Sequence, residues 1–474
     1  MPGERRSDNL IVGLSLGTTK TTMIVAEKNP DYPDSVHVIG FGPAPSKGIA
    51  KGIIVSLPDA RQSVMRAYQE AQSITGISAK RLKNVIVAFN ALDVQSESTH
   101  GMITLGGRDS KAVEEDALRN VIDRARDYVP MRSNMYSLHM IPTRYELDGQ
   151  NVDEPLGMNG SQLDVWLQTV AFPMTYVQNV VSCVQGAGLR VRGLVLKPLA
   201  SSLGAVYEEE MRAGCISICI GGGTTGIVLY RGGRAFRVMS IPIGGEHIRR
   251  DLATVLHMTL GEAEHLKKRI FAANEDDLRS EGVDVDLAYQ VIYARLEELF
   301  GEYIRNALAE CTPQHFPGGI ILSGGVSETP GIDMMLGDIL QMPVRKVEEP
   351  IYAMPPGLDT AAYVSLAGIL KYHAVTEQDP YMFIKSDQPL PGLADNSEER
   401  ERQEQSRRAR RERERDPEDD DPGREEPEDY GRDYGRDEPD GGYDGGDDGG
   451  YDEEPKPNLK EALGGFMEKL KNLF

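Results

Sequence analysis

Cys215-Ile-Ser-Ile-Cys-Ile-Gly-Gly-Gly-Thr-Thr225 runs from an unbroken apolar stretch into three successive glycines and two threonines. Its first six residues read as a buried strand, and a second strand pattern, Ile227 to Tyr230, follows at once. Three glycines in a row offer nothing to pack and cost conformational entropy, so their use is close approach of the backbone to a ligand. Such a turn presents N–H groups and hydroxyls, the donors a phosphate tail needs. The arrangement also occurs near the start of the chain. There Leu10-Ile-Val-Gly-Leu-Ser-Leu16 enters Gly17-Thr-Thr-Lys20 before a second apolar stretch, Thr22 to Val25. A third element, Gly318-Gly-Ile-Ile-Leu-Ser-Gly-Gly-Val-Ser327, is a strand ending in a Gly-Gly turn ahead of a helical stretch near Gly331. Three strand-to-glycine turns placed this way predict two similar lobes clasping one nucleotide.

Outward from these turns, strand and helix patterns alternate from Leu10 to about Tyr372, which predicts an α/β body. A chain of 474 residues exceeds one core and allows two or three. The formal charge of −22 misleads until it is located: Pro417 to Glu454 holds 18 acidic residues against three arginines. The acidity therefore belongs to that segment and not to the body, and nothing marks nucleic acid as a partner. Cys183, Cys215, Cys219 and Cys311 are scattered with no CxxC pair, so they are expected as core side chains in a reducing cytosol. The polar start, Met1 to Asn9, enters an ordinary strand pattern and is not expected to be a secretory signal. No stretch approaches the ~18 apolar residues of a spanning helix. Any meeting with a membrane is therefore expected from the cytosolic side, without crossing.

The composition breaks at about Glu377. From there to Pro457 the chain is rich in Pro, Gly, Asp, Glu and Arg, with Asp-Tyr-Gly-Arg twice (Asp429–Arg432, Asp433–Arg436). Such a segment buries too little apolar surface to offset its ordering entropy, so 377–457 is expected to be a disordered acidic linker. About 80 flexible residues reach roughly 50 Å end to end. Asn458-Leu-Lys-Glu461 then has the form of a capping box. Leu459, Ala462, Leu463, Phe466, Met467, Leu470, Leu473 and Phe474 follow at helical spacing on one face, with Lys460, Lys469 and Lys471 on the other. A helix packed back on the body or laid in a protein groove has the same pattern. The long tether and the basic polar face favour an anionic lipid surface. One short helix holds weakly, so stable attachment requires several helices linked by self-assembly.

The order of the glycine turns resembles that of the actin, Hsp70 and sugar-kinase superfamily: phosphate loop 1, phosphate loop 2, adenosine turn. Ala263-Glu-His-Leu-Lys267 is similar to its Ala-Glu-x-x-Lys helix, whose Glu and Lys approach the ribose, and Ile243-Gly-Gly245 and Asp251 sit where the pattern expects them. Within the superfamily, His139-Met-Ile-Pro142, Tyr145 and Pro155-Leu-Gly-Met-Asn-Gly160 resemble the inserted stretch of the FtsA family. Leu199-Ala-Ser-Ser202, Cys183 with Gly188-Leu189, the linker and the terminal helix extend the likeness over nearly the whole chain. The resemblance implies a two-lobed actin-like fold: subdomain 1A (1–84 and 173–200), an inserted SHS2 subdomain 1C (85–172), 2A (201–245 and 316–376) and 2B (246–315). It implies a nucleotide site of Ser15, Gly17, Thr18, Thr19, Lys20, Gly221, Gly222, Gly223, Thr224, Thr225, Glu264, Lys267, Gly324, Gly325 and Ser327, binding ATP, with Mg²⁺ only through the nucleotide. It further implies self-assembly into filaments, location at the division site on the cytoplasmic side of the membrane, and later division proteins bound through the insert. Recognition of the FtsZ tail in subdomain 2B is implied as well. There Ile292-Tyr-Ala-Arg295-Leu-Glu-Glu298 resembles the helix whose arginine lies at that tail, and a solvated helix face is the equal alternative for Arg295.

Two departures bear on the chemistry. Loop 1 of the superfamily usually begins with aspartate, where Ser15 stands, and loop 2 likewise, where Cys219 stands. Gly226 replaces a position that is often acidic, and Lys197 stands where several relatives carry a carboxylate. Those aspartates hold the waters of the Mg²⁺ on the phosphates. Nucleotide binding is expected to survive through the backbone donors, with Lys20 and Lys197 adding positive charge, and hydrolysis to be very slow. The rivals are a superfamily sugar or acid kinase, which needs an aspartate base in the cleft, and a PilM-like pilus-assembly adaptor, which is expected to end soon after the second lobe.

Overall fold

The structure, a computed structural model, describes residues 9–390 apart from 30–35, 107–109, 130–133, 273–277, 280–281, 359, 386–387 and 389. The linker beyond residue 390 and the terminal helix with its apolar and lysine faces lie outside the described residues.

The chain opens with β1 (Leu10–Leu16), β2 (Lys20–Lys28) and β3 (Val36–Pro45), then a small hairpin of β4 (Ile49–Ala50) and β5 (Ile53–Ile54). Helix α1 (Leu57–Thr75) leads to β6 (Asn84–Phe89). Next come β7 (Gln95–Thr104), β8 (Lys111–Ala112), α2 (Glu115–Asp127), β9 (Met135–Leu147), β10 (Gln150–Val152), β11 (Asn159–Gly160) and β12 (Gln162–Pro173). After α3 (Met174–Gly186), β13 (Arg190–Leu196) and α4 (Lys197–Leu203), helix α5 (Glu208–Ala213) opens the second half with β14 (Ile216–Ile220), β15 (Thr225–Arg231) and β16 (Arg234–Ile241). The helices α6 (Gly245–Val255), α7 (Leu260–Phe271) and α8 (Val285–Glu298) precede β17 (Ile320–Ser323), α9 (Ile332–Leu340), β18 (Val344–Lys346), α10 (Val364–Gln378) and β19 (Ile384–Lys385).

Two five-stranded sheets share one topology. The first has the order β13-β6-β1-β2-β3 and the second β18-β17-β14-β15-β16, so each half places its strands as 5-4-1-2-3. In each, the first three strands run antiparallel and the last two run parallel to the first. β1 is buried on both faces, which is why it reads as a continuous apolar run. The first β-turn of each half is a glycine–threonine loop, and the helix after each fifth strand, α4 or α10, meets its counterpart across the middle. This is an actin-like α/β fold with two repeated lobes.

The insert contributes four strands, β10-β9-β12-β7, to a five-stranded sheet, with α2 across it. Leu118, Val121, Ile122, Leu163, Val165 and Leu167 build its core. The strands β9 and β12 are long, and their far ends carry Tyr136, Ile141, Val170 and Phe172 into the main core. The expected boundary at residue 85 differs from what is found. β6 lies between β1 and β13 in the first sheet, and the insert's own strands begin at Gln95. The expected start of the linker at 377 also moves. α10 continues to Gln378, Phe383 and Ile384 are buried, and β19 pairs antiparallel with β9, Ile384 opposite Met140. Two buried apolar residues in a polar stretch are a weak signal, and composition alone does not reveal their strand partner.

Candidate nucleotide site

The three glycine turns converge on one cleft of about 480 Å³, within the range of small-molecule sites. Ser15, Gly17, Thr18, Thr19, Lys20, Gly221, Gly222, Gly223, Thr224, Glu264, Lys267, Gly324 and Gly325 all line it. The tips of the two glycine–threonine loops, loop 1 (17–20) and loop 2 (221–225), face each other closely. A Cβ added at Gly222 would stand 2.5 Å from Thr19 Cγ2, and one at Gly223 would stand 2.8 Å from Thr18 Cβ. Loop 2 is fixed from behind by the start of α6, where the Gly245 and Glu246 N–H groups donate to the Gly221 and Gly222 carbonyls at 2.9 and 2.6 Å. At the third turn Gly324 takes φ +93°, with Ile220 backbone against the position a Cβ would occupy. A side chain there meets both a strained backbone and no space.

Thr225 and Ser327 are placed differently from expectation. Both are fully buried, and their hydroxyls donate to the Ile243 and Gly324 carbonyls at 2.9 and 2.7 Å. They hold the turns in shape and do not line the cleft. The sequence reading missed Gly52, Asn90, Ser201, Phe271, Tyr363 and Ser365, all of which do. The Gly52 N–H donates to Thr18 Oγ1 at 2.9 Å, so the β4–β5 hairpin props loop 1.

Charge is distributed unevenly along the cleft. Lys267 donates to Glu264 at 2.6 Å and to the Gly245 carbonyl, and Lys268 pairs with the same carboxylate at 3.5 Å. Lys20 donates to Tyr363 Oη at 2.9 Å and lies over that ring. Lys197, at the start of α4, reaches the Leu16 carbonyl at 3.4 Å. Burial pulls its ammonium below the usual lysine range, with Cys219 pulling the other way. The lining acids among the described residues are Glu264, on α7, and Glu328, after the third glycine turn; neither belongs to a glycine–threonine loop.

The donors present fit a nucleotide better than a divalent cation. Ser15 is buried with its hydroxyl 3.1 Å from that of Ser365, and Cys219 contributes a thiol. Magnesium prefers carboxylate and water oxygens in an octahedron. Among the described residues, the two glycine–threonine loops supply no carboxylate to this cleft, so the residues there do not fit Mg²⁺. Among the described residues, no three His, Cys, Asp or Glu side chains cluster as metal ligands.

Arg295 is neither a bare helix face nor a free cation. Its guanidinium donates to both Asp251 oxygens at 2.6 and 3.1 Å and to Glu298. It thereby ties α8 to α6, a bidentate geometry that favours arginine over lysine.

Against known proteins, the family profile described as "Cell division protein FtsA" matches residues 217–368, and "SHS2 domain inserted in FTSA" matches 92–171. The Cell division protein FtsA of Enterococcus hirae is 33% identical over 77% of this chain and 83% of its own length. The chain belongs to the FtsA cell-division family. The FtsA proteins of Pseudomonas aeruginosa and Bacillus subtilis are 30% and 29% identical over 74% and 77% of this chain, and over 89% and 84% of their own lengths. Among solved structures, the PilM-PilN type IV pilus biogenesis complex is similar in fold at a TM-score of 0.54. It is 21% identical and covers 76% of this chain and 98% of its own. The SHS2 match at 92–171 agrees with an insert whose strands begin at Gln95. No described helix is long and apolar enough to cross a membrane.

Proposed function

We propose that this member of the FtsA family is an actin-like adaptor that binds ATP, assembles into filaments and tethers FtsZ polymers to the cytoplasmic membrane at the division site. The observation carrying this reading is the cleft in which three glycine turns from two repeated halves converge, within a chain of that family. In this reading the body polymerises, the acidic linker spaces it from the bilayer, and the helix of 458–474 enters anionic lipid. The α6–α8 side of the second lobe, with Arg295, takes the FtsZ tail, and the insert takes later division proteins. Hydrolysis is very slow, because Ser15 and Cys219 bring no charge to the phosphates. The cleft lining carries no aspartate among the described residues, which disfavours the kinase reading.

Co-sedimentation with anionic vesicles tests the membrane half of the proposal. Full-length protein should pellet, and a chain ending at Pro457 should stay in the supernatant, since burying the apolar face contributes ~1.5–3 kcal/mol per large side chain. Pelleting should rise cooperatively with protein concentration as assembly links the helices. Identical pelleting of the two chains would remove the anchor.

A further inference from the structure

We propose that the Lys197 ammonium takes the place of the divalent cation in this cleft, so that the chain binds ATP as the metal-free polyphosphate. The inference rests on the nucleotide reading above and names the ionic form of the ligand.

Four lysines line the cleft, and three have settled partners: Lys267 and Lys268 share Glu264, and Lys20 is held by Tyr363. Lys197 faces a backbone carbonyl, with no acid in reach among the described residues. Its Nζ sits against loop 1, 2.8 Å from where a Cβ on Gly17 would stand, and both residues line the cleft. Holding an ammonium in a half-buried site without a counter-ion is unfavourable, and the depressed basicity of Lys197 records that cost. An anion arriving at the loop removes the cost and gains charge-assisted hydrogen bonds.

The surroundings exclude the alternative. A bound Mg²⁺ would lack both loop carboxylates, with Ser15 turned to Ser365 and Cys219 offering sulfur, and would stand beside a fixed positive charge. Gly226, opposite Pro198, contributes no acid either, because a Cβ there would lie 2.8 Å from the proline ring. The four departures from the superfamily pattern therefore act together. Two carboxylates are lost, a third position is closed by proline packing, and one lysine supplies the missing charge. Mg²⁺ then competes with Lys197 for the same oxygens and does not assist binding.

Calorimetric titration of full-length protein with ATP, in EDTA and in excess Mg²⁺, tests this. Wild-type protein should bind at least as tightly in EDTA as in Mg²⁺. Lys197→Met should lose roughly tenfold or more in EDTA, the usual scale for a hydrogen bond to a charged group. The same variant should unfold at an equal or higher temperature without nucleotide, because it removes a desolvated charge; a merely structural lysine would lower both. Lys197→Glu should bind ATP only when Mg²⁺ is added. Wild-type binding that requires Mg²⁺, or Lys197→Met binding like wild type in EDTA, overturns the proposal and leaves the nucleotide site standing. No ATP binding by wild type in either buffer overturns the nucleotide reading and this inference with it.

Discussion

Replacing Gly368 with alanine is expected to destabilise the body by about 3 kcal/mol or more, the upper part of the overpacking range. Gly368 lies in α10 where that helix crosses α4. A Cβ added there would overlap the Ala200 carbonyl oxygen and stand 2.5 Å from its carbon. The contact is reciprocal, since a Cβ on Gly204 would overlap the Val364 carbonyl oxygen and stand 2.8 Å from the Gly368 nitrogen. Two helices in backbone contact cannot absorb a methyl group by turning a side chain. They must part by on the order of 1 Å to restore ordinary carbon–carbon spacing. α4 carries Lys197, Pro198 and Ser201, and the start of α10 carries Val364 and Ser365, all lining the cleft. Parting the helices therefore widens the candidate nucleotide cleft as well as loosening the core. Chemical denaturation should show the loss, and ATP affinity should fall with it. Gly301→Ala is the control: a Cβ there meets nothing within 4 Å, and a change within about 0.5 kcal/mol is expected. Equal stability of the two variants would show that the helix crossing yields.

That crossing also shows what was legible in the sequence. The glycine–threonine loops were, because each is a local signal: a two-sided apolar strand that runs straight into glycines and threonines. Gly204 and Gly368 carry no such signal, since one is a single glycine closing α4 and the other a single glycine in an apolar helix. Their meaning arises only when the repeated topology brings two helices together. The same holds for Tyr363 and Ser365, which meet Lys20 and Ser15 across more than 300 positions of chain. Lys197 was visible beforehand only because a family pattern made its charge unexpected; that it faces loop 1 without an acid was not.

The insert was legible in type and misplaced in extent. Its His139-Met-Ile-Pro142 stretch is local, yet β9 serves two cores at once. Tyr145 and Leu147 face the insert, whereas Tyr136 and Ile141 belong to the main body. A boundary set at a single residue number has no means of dividing one strand between two cores. Thr225 and Ser327 illustrate the converse limit. A hydroxyl beside a glycine loop suits a phosphate equally well as it suits a nearby carbonyl, and only the fold decides between them.

The joint between insert and body should make the protein sensitive to acid through His139. This side chain is 1% exposed, with Tyr372 and Phe383 against its ring. Its Nε2 accepts from the Leu196 N–H at 3.2 Å, one residue before Lys197, while Nδ1 has no partner among the described residues. Burial depresses its pKa from 6.5 to about 3. Above 6.5 both folded and unfolded states are neutral, and the group adds no pH dependence. Between 6.5 and 3 the unfolded chain takes up a proton that the folded chain refuses, so stability falls as pH falls. The loss is about 1.4 kcal/mol per pH unit, or roughly 2 kcal/mol at pH 5. His139→Phe removes that proton but leaves the Leu196 N–H unpaired, at a cost of about 1–3 kcal/mol at neutral pH. Denaturant midpoints at pH 7, 6 and 5 should therefore show the variant weaker at pH 7 and converging on wild type, or crossing it, by pH 5. His247, whose basicity burial also lowers, titrates alike in both proteins and cancels in the difference. Curves that stay parallel would assign the acid sensitivity elsewhere. Convergence would mean that the strand placing Lys197 beside loop 1 is held by a histidine that must stay neutral.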